Sequence, residues 1–143
     1  MRFLKVLGSA AVVVSLIGCT TTNDPMADDK LIACAGAVTG NLTYMERMAL
    51  PDDAVITVNL SDISLADAPA TVISSVSFRA DGRQVPFNFT LPFASEQVKA
   101  AQTIAVSAKI TQGDRLLFIT TSVNEVLTQG KPSAANLVLE RVR

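Results

Sequence analysis

The most definite chemistry in this chain belongs to one cysteine, Cys19, reached through Leu16-Ile17-Gly18. An apolar position, a tolerant one, a small residue and then cysteine is the layout of a bacterial lipobox. Only a thiol can be converted to the diacylglyceryl thioether, and only a side chain as small as that of Gly18 lets a peptidase approach the bond before Cys19. Upstream, Arg2 and Lys5 supply positive charge, and Val6 to Ile17 form an uncharged, mostly apolar run, which is how a secretory signal is built. Crossing the hydrocarbon core takes about 20 apolar residues, so a permanent transmembrane helix is the weaker reading of this run. Secretion with a free cysteine is the other competitor. The expectation is a signal peptide over residues 1–18, cleavage, and acylation of Cys19. At ~0.8 kcal/mol per buried methylene, three acyl chains would hold the protein to a bilayer for good. Thr20 follows the cysteine where Asp would retain a proteobacterial lipoprotein at the inner membrane. In a two-membrane host this implies the periplasmic face of the outer membrane.

Other reactive groupings are sparse. With Cys19 acylated, Cys34 is the remaining thiol, so no internal disulfide can form. Its setting, Leu31-Ile32-Ala33-Cys34-Ala35, suits a small buried hydrophobe. The chain has no His, which removes the commonest general base and the commonest zinc ligand. Nucleophile-elbow, phosphate-loop and paired Cys-x-x-Cys patterns are missing as well. Most acidic residues fall in turns, where Asp favours the backbone conformation by itself. Asp28-Asp29 sits in polar sequence that cannot fix a metal's geometry. No enzymatic activity, metal or cofactor is expected. A slight acidic excess without a basic cluster leaves nothing to neutralise phosphates, so nucleic acid is not an expected partner. Carbohydrate modules offer flat aromatic faces, and this chain has no Trp and one Tyr.

Positioning falls to a succession of short strands. Residues 19–30, from the lipidated cysteine through a polar stretch without periodicity, read as a flexible tether, and residues 31–143 as one domain. From Val38 onward apolar residues recur at every second position, which puts them on one face of an extended strand. Val38, Leu42 and Tyr44 make the first set, then Ile56, Val58 and Leu60, then Val72, Val76 and Phe78. Phe87, Phe89 and Leu91 follow, then Ile104, Val106, Ala108 and Ile110, the run Leu116 to Thr121, and Asn136 to Val142. Turn residues separate them at Leu50-Pro51-Asp52-Asp53, Asp81-Gly82, Gln112-Gly113-Asp114 and Gln129-Gly130-Lys131-Pro132. Ser95 to Ala101 alone reads as a short helical turn. The pattern predicts an all-β domain: an antiparallel β-sandwich of about seven or eight short strands, with a small β-barrel as the alternative.

From Val38 to Thr128 the chain resembles the YbaY-like lipoproteins, grouped with the YscW-type lipoprotein chaperones, or pilotins, of type III secretion. The resemblance is carried by Val38-Thr39-Gly40, Tyr44, Glu46-Arg47, Leu50-Pro51 and the string Asp62 to Ala70. Gln84-Val85-Pro86-Phe87, Gly113 to Phe118 and Val126-Leu127-Thr128 complete it. It implies a β-sandwich lipoprotein and, by analogy with pilotins, a protein partner such as a secretin subunit. The Asp62 to Ala70 string has two readings. It can be a partner-binding loop in which Asp62, Leu65 and Asp67 meet the partner. Alternatively Asp62 and Asp67 accept backbone hydrogen bonds, Leu65 plugs one end of the sandwich, and Pro69 starts the next strand. The structural reading is preferred, and Glu46-Arg47 reads as an exposed ion pair. The functional expectation is an outer-membrane lipoprotein, attached through lipid at Cys19, whose domain binds a secretin-like or other envelope protein as a chaperone. The alternatives are a general envelope-maintenance lipoprotein and a polysaccharide- or small-ligand-associated module.

Overall fold

The computed structural model describes residues 36–143. The expected signal peptide over residues 1–18, Cys19, the expected tether over residues 19–30 and Cys34 lie outside the described residues. Eight strands and one short helix follow in order: β1 (Gly36–Tyr44), β2 (Val55–Asp62), β3 (Thr71–Arg79), β4 (Phe87–Phe93), α1 (Ser95–Ala100), β5 (Ile104–Gln112), β6 (Arg115–Thr120), β7 (Asn124–Val126) and β8 (Ala134–Arg141). The alternation does what it predicts in most strands; in β3 it does not, since Val72 is exposed and Val76 and Phe78 are only half-buried. Val38, Leu42, Ile56, Val58, Leu60, Leu91, Ile104, Ile110, Phe118 and Leu137 are fully buried, each stabilising the fold by about 1.5–3 kcal/mol relative to an exposed side chain.

The domain is all-β, and of the two architectures considered it takes the small barrel. One ladder runs β3-β2-β5-β6-β8-β1-β4, with β7 paired to β5 off this path. The reason lies in β5. One of its edges is paired with β2 along its length, and the other is shared between β7 at Ile104–Val106 and β6 at Lys109–Gln112. Hydrogen bonding therefore never breaks into two facing sheets. Irregularities at Leu60/Ser61 and at Ile110/Thr111 add local twist and bend to the ladder. The terminal strands β3 and β4 come back together without sharing a ladder. Phe78 and Phe87 meet there with ring centroids 5.9 Å apart, so the barrel is nearly but not fully closed.

Seven strands of the ladder path pair antiparallel except at one place. β1 and β8 are parallel, in register from Thr39 opposite Ala134 to Tyr44 opposite Leu139. In the middle of β1, Gly40 is squeezed between both neighbours. A Cβ there would lie 1.8 Å from the carbonyl oxygen of Ala135 and 2.8 Å from the ring of Phe89. No side chain can occupy that position without moving the backbone of β8. The third strand of the β5 edge, β7, has too few residues for alternation to reveal it, and its only buried side chain is Val126.

Candidate functional site

The registers sort the connections to two poles of the barrel. Asp62 at the end of β2 pairs with Ile104 at the start of β5, and Gly36 pairs with Phe93. The Asp62–Ala70 connection, α1, β7 and the start of β1 thus share one pole. At the other, Val55 pairs with Thr111, Gln112 with Arg115, and Leu42 with Phe87. The parallel β1–β8 pair brings the C-terminal ends of both strands to this second pole. The start of antiparallel β6 joins them through Phe118 opposite Arg141.

At the first pole the sequence-predicted loop residues separate by role. The Asp62 carboxylate accepts the backbone N–H of Ser64 at 2.9 Å and the Ser64 hydroxyl as well. These two bonds hold the Asp62 carboxyl below its ordinary range, against a smaller opposing effect of burial. Ser64 Oγ in turn accepts the N–H groups of Gln102 at 2.8 Å and Thr103 at 3.0 Å, while the N–H of Ile63 donates to the Thr103 carbonyl at 2.9 Å. Asp62 and Ser64 therefore tie the β2–β3 connection to the strand that follows α1. Leu65 does not plug the barrel. It is 72% exposed, beside a loop whose residues through Ala70 are all exposed, and Val72 at the start of β3 is 55% exposed. Asp67 is likewise exposed, and the loop's hydrogen bonds run through Asp62 and Ser64 rather than through it. Leu65 stays outside with the rest of the Leu65–Ala70 stretch, while Leu60 and Ile104 are fully buried at this end.

The second pole carries a groove that sequence reading missed. Its largest part, about 750 Å³, is lined by Glu46, Arg115, Glu140, Arg141, Val142 and Arg143. A deeper part of about 130 Å³ adds Met48, Pro51, Leu117 and Phe118 and shares Arg115, Arg141 and Val142 with the first. The β6 bulge builds this floor. Ile110 faces Phe118 and Thr111 faces Leu116, which leaves Leu117 as the extra residue, and bulges re-aim side chains in this way. The carbonyl of Leu117 accepts the N–H of Val142 at 3.0 Å, which fixes the end of β8 alongside.

The opposite wall is the Met45–Pro51 segment, pinned at several points. The Tyr44 hydroxyl donates to the Met48 carbonyl at 2.7 Å, and the Tyr44 ring stacks on Phe118 with centroids 4.3 Å apart. Burial, and secondarily the charge of Glu46, raises the Tyr44 phenol above its ordinary pKa, so it stays a donor. Gln84 accepts the N–H of Leu50 at 2.9 Å, joining this wall to the β3–β4 turn. Glu46 and Arg47 do not form the exposed pair expected from their adjacency. Glu46 Oε2 is buried and finds no hydrogen-bond partner among the described residues, because the chain turns away after Tyr44 and carries Arg47 outward. Among those residues the ion pair observed is Lys131 with Glu125 at 3.8 Å. The guanidinium groups of Arg115 and Arg141 thus face the groove without a carboxylate partner.

The signals for this groove were present but scattered. Tyr44, Glu46, Leu50-Pro51, Gln84 and Gly113 to Phe118 all carry the family resemblance, yet they are up to about seventy residues apart in the sequence and only the barrel assembles them. Arg141 had no signal at all. Among the described residues no group of three or more His, Cys, Asp or Glu is placed to hold a metal, and no helix is long and apolar enough to cross a membrane.

The class of protein is a small, nearly closed all-β barrel. Residues 33–139 match the family described as type III secretion system lipoprotein chaperone (YscW), and the chain belongs to that family. It is 36% identical over 146 residues to the Escherichia coli K12 lipoprotein YbaY, itself described as uncharacterized, covering 94% of this chain and 77% of that protein. The barrel is also similar to an alternative pilotin from the type II secretion system of Vibrio cholerae. The TM-score is 0.72 at 44% identity, covering 75% of this chain and 96% of the pilotin.

Proposed function

We propose that this chain is a lipid-anchored envelope lipoprotein, cut before Cys19 and held by acyl chains on that residue at the periplasmic face of the outer membrane. Its barrel binds another envelope protein, a secretin subunit or a protein of similar assembly fate, and acts as a chaperone rather than an enzyme. The observation that carries this reading is the match of residues 33–139 to a lipoprotein chaperone family and of 75% of the chain to a pilotin. Residues 1–18 are the signal peptide in this scheme, 19–30 the tether and 31–143 the binding domain.

Two measurements test it. Intact-mass analysis of the native protein is expected to give an acylated amino terminus at Cys19, and Cys19→Ser is expected to leave a folded domain that fractionates away from membranes. A variant retained in the membrane fraction at wild-type levels would defeat the anchoring step. For the partner, cross-linking and mass spectrometry on native envelopes should recover one defined envelope protein. The similarity to YbaY over 94% of the chain supports a second reading, a general envelope-maintenance lipoprotein without a secretin client. Recovery of a non-secretin partner, reproducibly and alone, would select it. The exposure of Leu65 and of Val72 just beyond it offers the Asp62–Ala70 loop as an additional contact, and Leu65→Ser with unchanged partner recovery would remove it.

A further inference from the structure

We infer that the groove between the Met45–Pro51 segment, the start of β6 and the end of β8 receives a partner-protein segment in which a carboxylate lies close to an aliphatic side chain. This rests on the protein-binding reading above and assigns it a surface and a chemistry.

Charge comes first. Arg115 and Arg141 line both parts of the groove, with Arg143, Glu46 and Glu140 also lining the larger part, and neither Arg115 nor Arg141 is paired with a carboxylate among the described residues. Arginine presents a planar fork matched to a carboxylate, and such bidentate pairs give geometric specificity as well as energy. The apolar component is next. The deeper part, about 130 Å³ with Met48, Leu117 and Phe118 in its lining, has room for one aliphatic side chain and not for an acyl tail. Methionine at such a place adapts to different occupants, and Met48 and Val142 are already 37% and 39% exposed. Glu46 completes the set. It lines the larger part, and with its Oε2 buried away from the guanidinium groups it forms no ion pair that would occupy them. Guanidinium donors beside a socket for one aliphatic side chain describe a peptide site better than a headgroup site.

The test uses the full chain purified in nonionic detergent and a labelled amphipathic peptide carrying Glu on one face and Leu on the other. Counterparts with Lys for Glu and with Ser for Leu serve as comparisons. The Glu/Leu peptide is expected to bind, and both counterparts to bind at least about tenfold more weakly. Arg115→Glu with Arg141→Glu should weaken binding by a similar factor, as should raised salt. Both arginines are exposed, so folding should survive. Should the reversed pair fail to fold by circular dichroism, Arg115→Gln with Arg141→Gln carries the same comparison. Equal binding of the Glu and Lys peptides, or undiminished binding to the reversed pair, overturns the assignment. So does cross-linking of the peptide to the Leu65 loop instead of to Val142. Anionic phosphatidylglycerol vesicles are offered to the Cys19→Ser full chain in parallel. Arginine-dependent vesicle binding without peptide binding would give the groove to a lipid surface and overturn it as well. If the partner recovered from native envelopes is still recovered with both arginines reversed, the groove falls and the protein-binding reading stands. If the wild type itself yields no partner, it is the reading that falls.

Discussion

The two poles of the barrel use their polar residues in opposite ways. At the loop pole, Asp62, Ser64 and Thr128 spend their oxygens on neighbouring backbone. Ser64 holds Gln102 and Thr103, and Thr128 Oγ1 accepts the N–H of Ile104 at 3.3 Å. At the groove pole, Tyr44 and Gln84 brace a wall, but Arg115, Arg141 and Glu46 are left with unused hydrogen-bonding capacity. A motif that stands out as a string of residues is thus here mainly a device of the fold, and the groups with something left to offer are dispersed along the chain. Polar side chains close in sequence can satisfy one another locally.

Breaking the frame beneath both poles should have the largest effect. Gly40→Val puts atoms where the carbonyl of Ala135 and the ring of Phe89 already sit, and a loss of about 3 kcal/mol or more is expected in urea unfolding, severe enough to prevent folding. Ser64→Ala should act at the loop pole alone. It strands the amides of Gln102 and Thr103 and costs about 1–2 kcal/mol, with protection from hydrogen exchange lost at those two residues and groove-peptide affinity unchanged. If that affinity falls too, the poles are not independent. Tyr44→Phe makes the reciprocal cut. It keeps the stack on Phe118 but removes the bond to Met48, costing about 1 kcal/mol and loosening the groove wall, so peptide affinity should drop while the Ser64 contacts persist.

Acidity sharpens the contrast further. Because Ser64 lowers the folded-state pKa of Asp62, the ionised form is favoured by folding. Its contribution is present above the ordinary Asp range and is lost as the pH falls through the lowered value. Exchange protection at Ser64 should decline over that acid interval, and Asp62→Asn should abolish the dependence. Tyr44 has the reverse sign. Its raised pKa means a contribution present below the ordinary tyrosine range and lost as the pH climbs through the raised value. The smallest effect belongs to neither pole's design. Lys131 and Glu125 are substantially exposed at 3.8 Å, and Lys131→Ala should change stability by less than about 0.5 kcal/mol.

Most strands were legible because a half-buried strand writes its two faces into alternate residues, as Ile56 to Leu60 and Phe87 to Leu91 do. The short helix was legible from its lone polar window, Ser95 to Ala100. What stayed hidden depends on partners distant in the chain. The parallel pairing of the first strand with the last leaves no local trace, and neither does the choice of one curled sheet over two flat ones, which turns on how β5 divides its second edge. β7, with one buried residue, is too short to show a period. At the candidate sites, the bonding role of Asp62 could be read from its Asp-x-Ser spacing, whereas the exposure of Leu65 could not, since an isolated leucine in a loop is equally at home in a socket or in water. Arg115 and Arg141 acquire meaning only from Phe118 standing opposite Arg141.

The course of β1 has a mechanical consequence. The strand enters at the loop pole with Gly36 and leaves at the groove pole with Tyr44, a rod about 26 Å long at ~3.3 Å per residue. The chain therefore enters the barrel a full strand length away from the mouth of the groove, and occupation of that mouth leaves the entry of β1 uncovered.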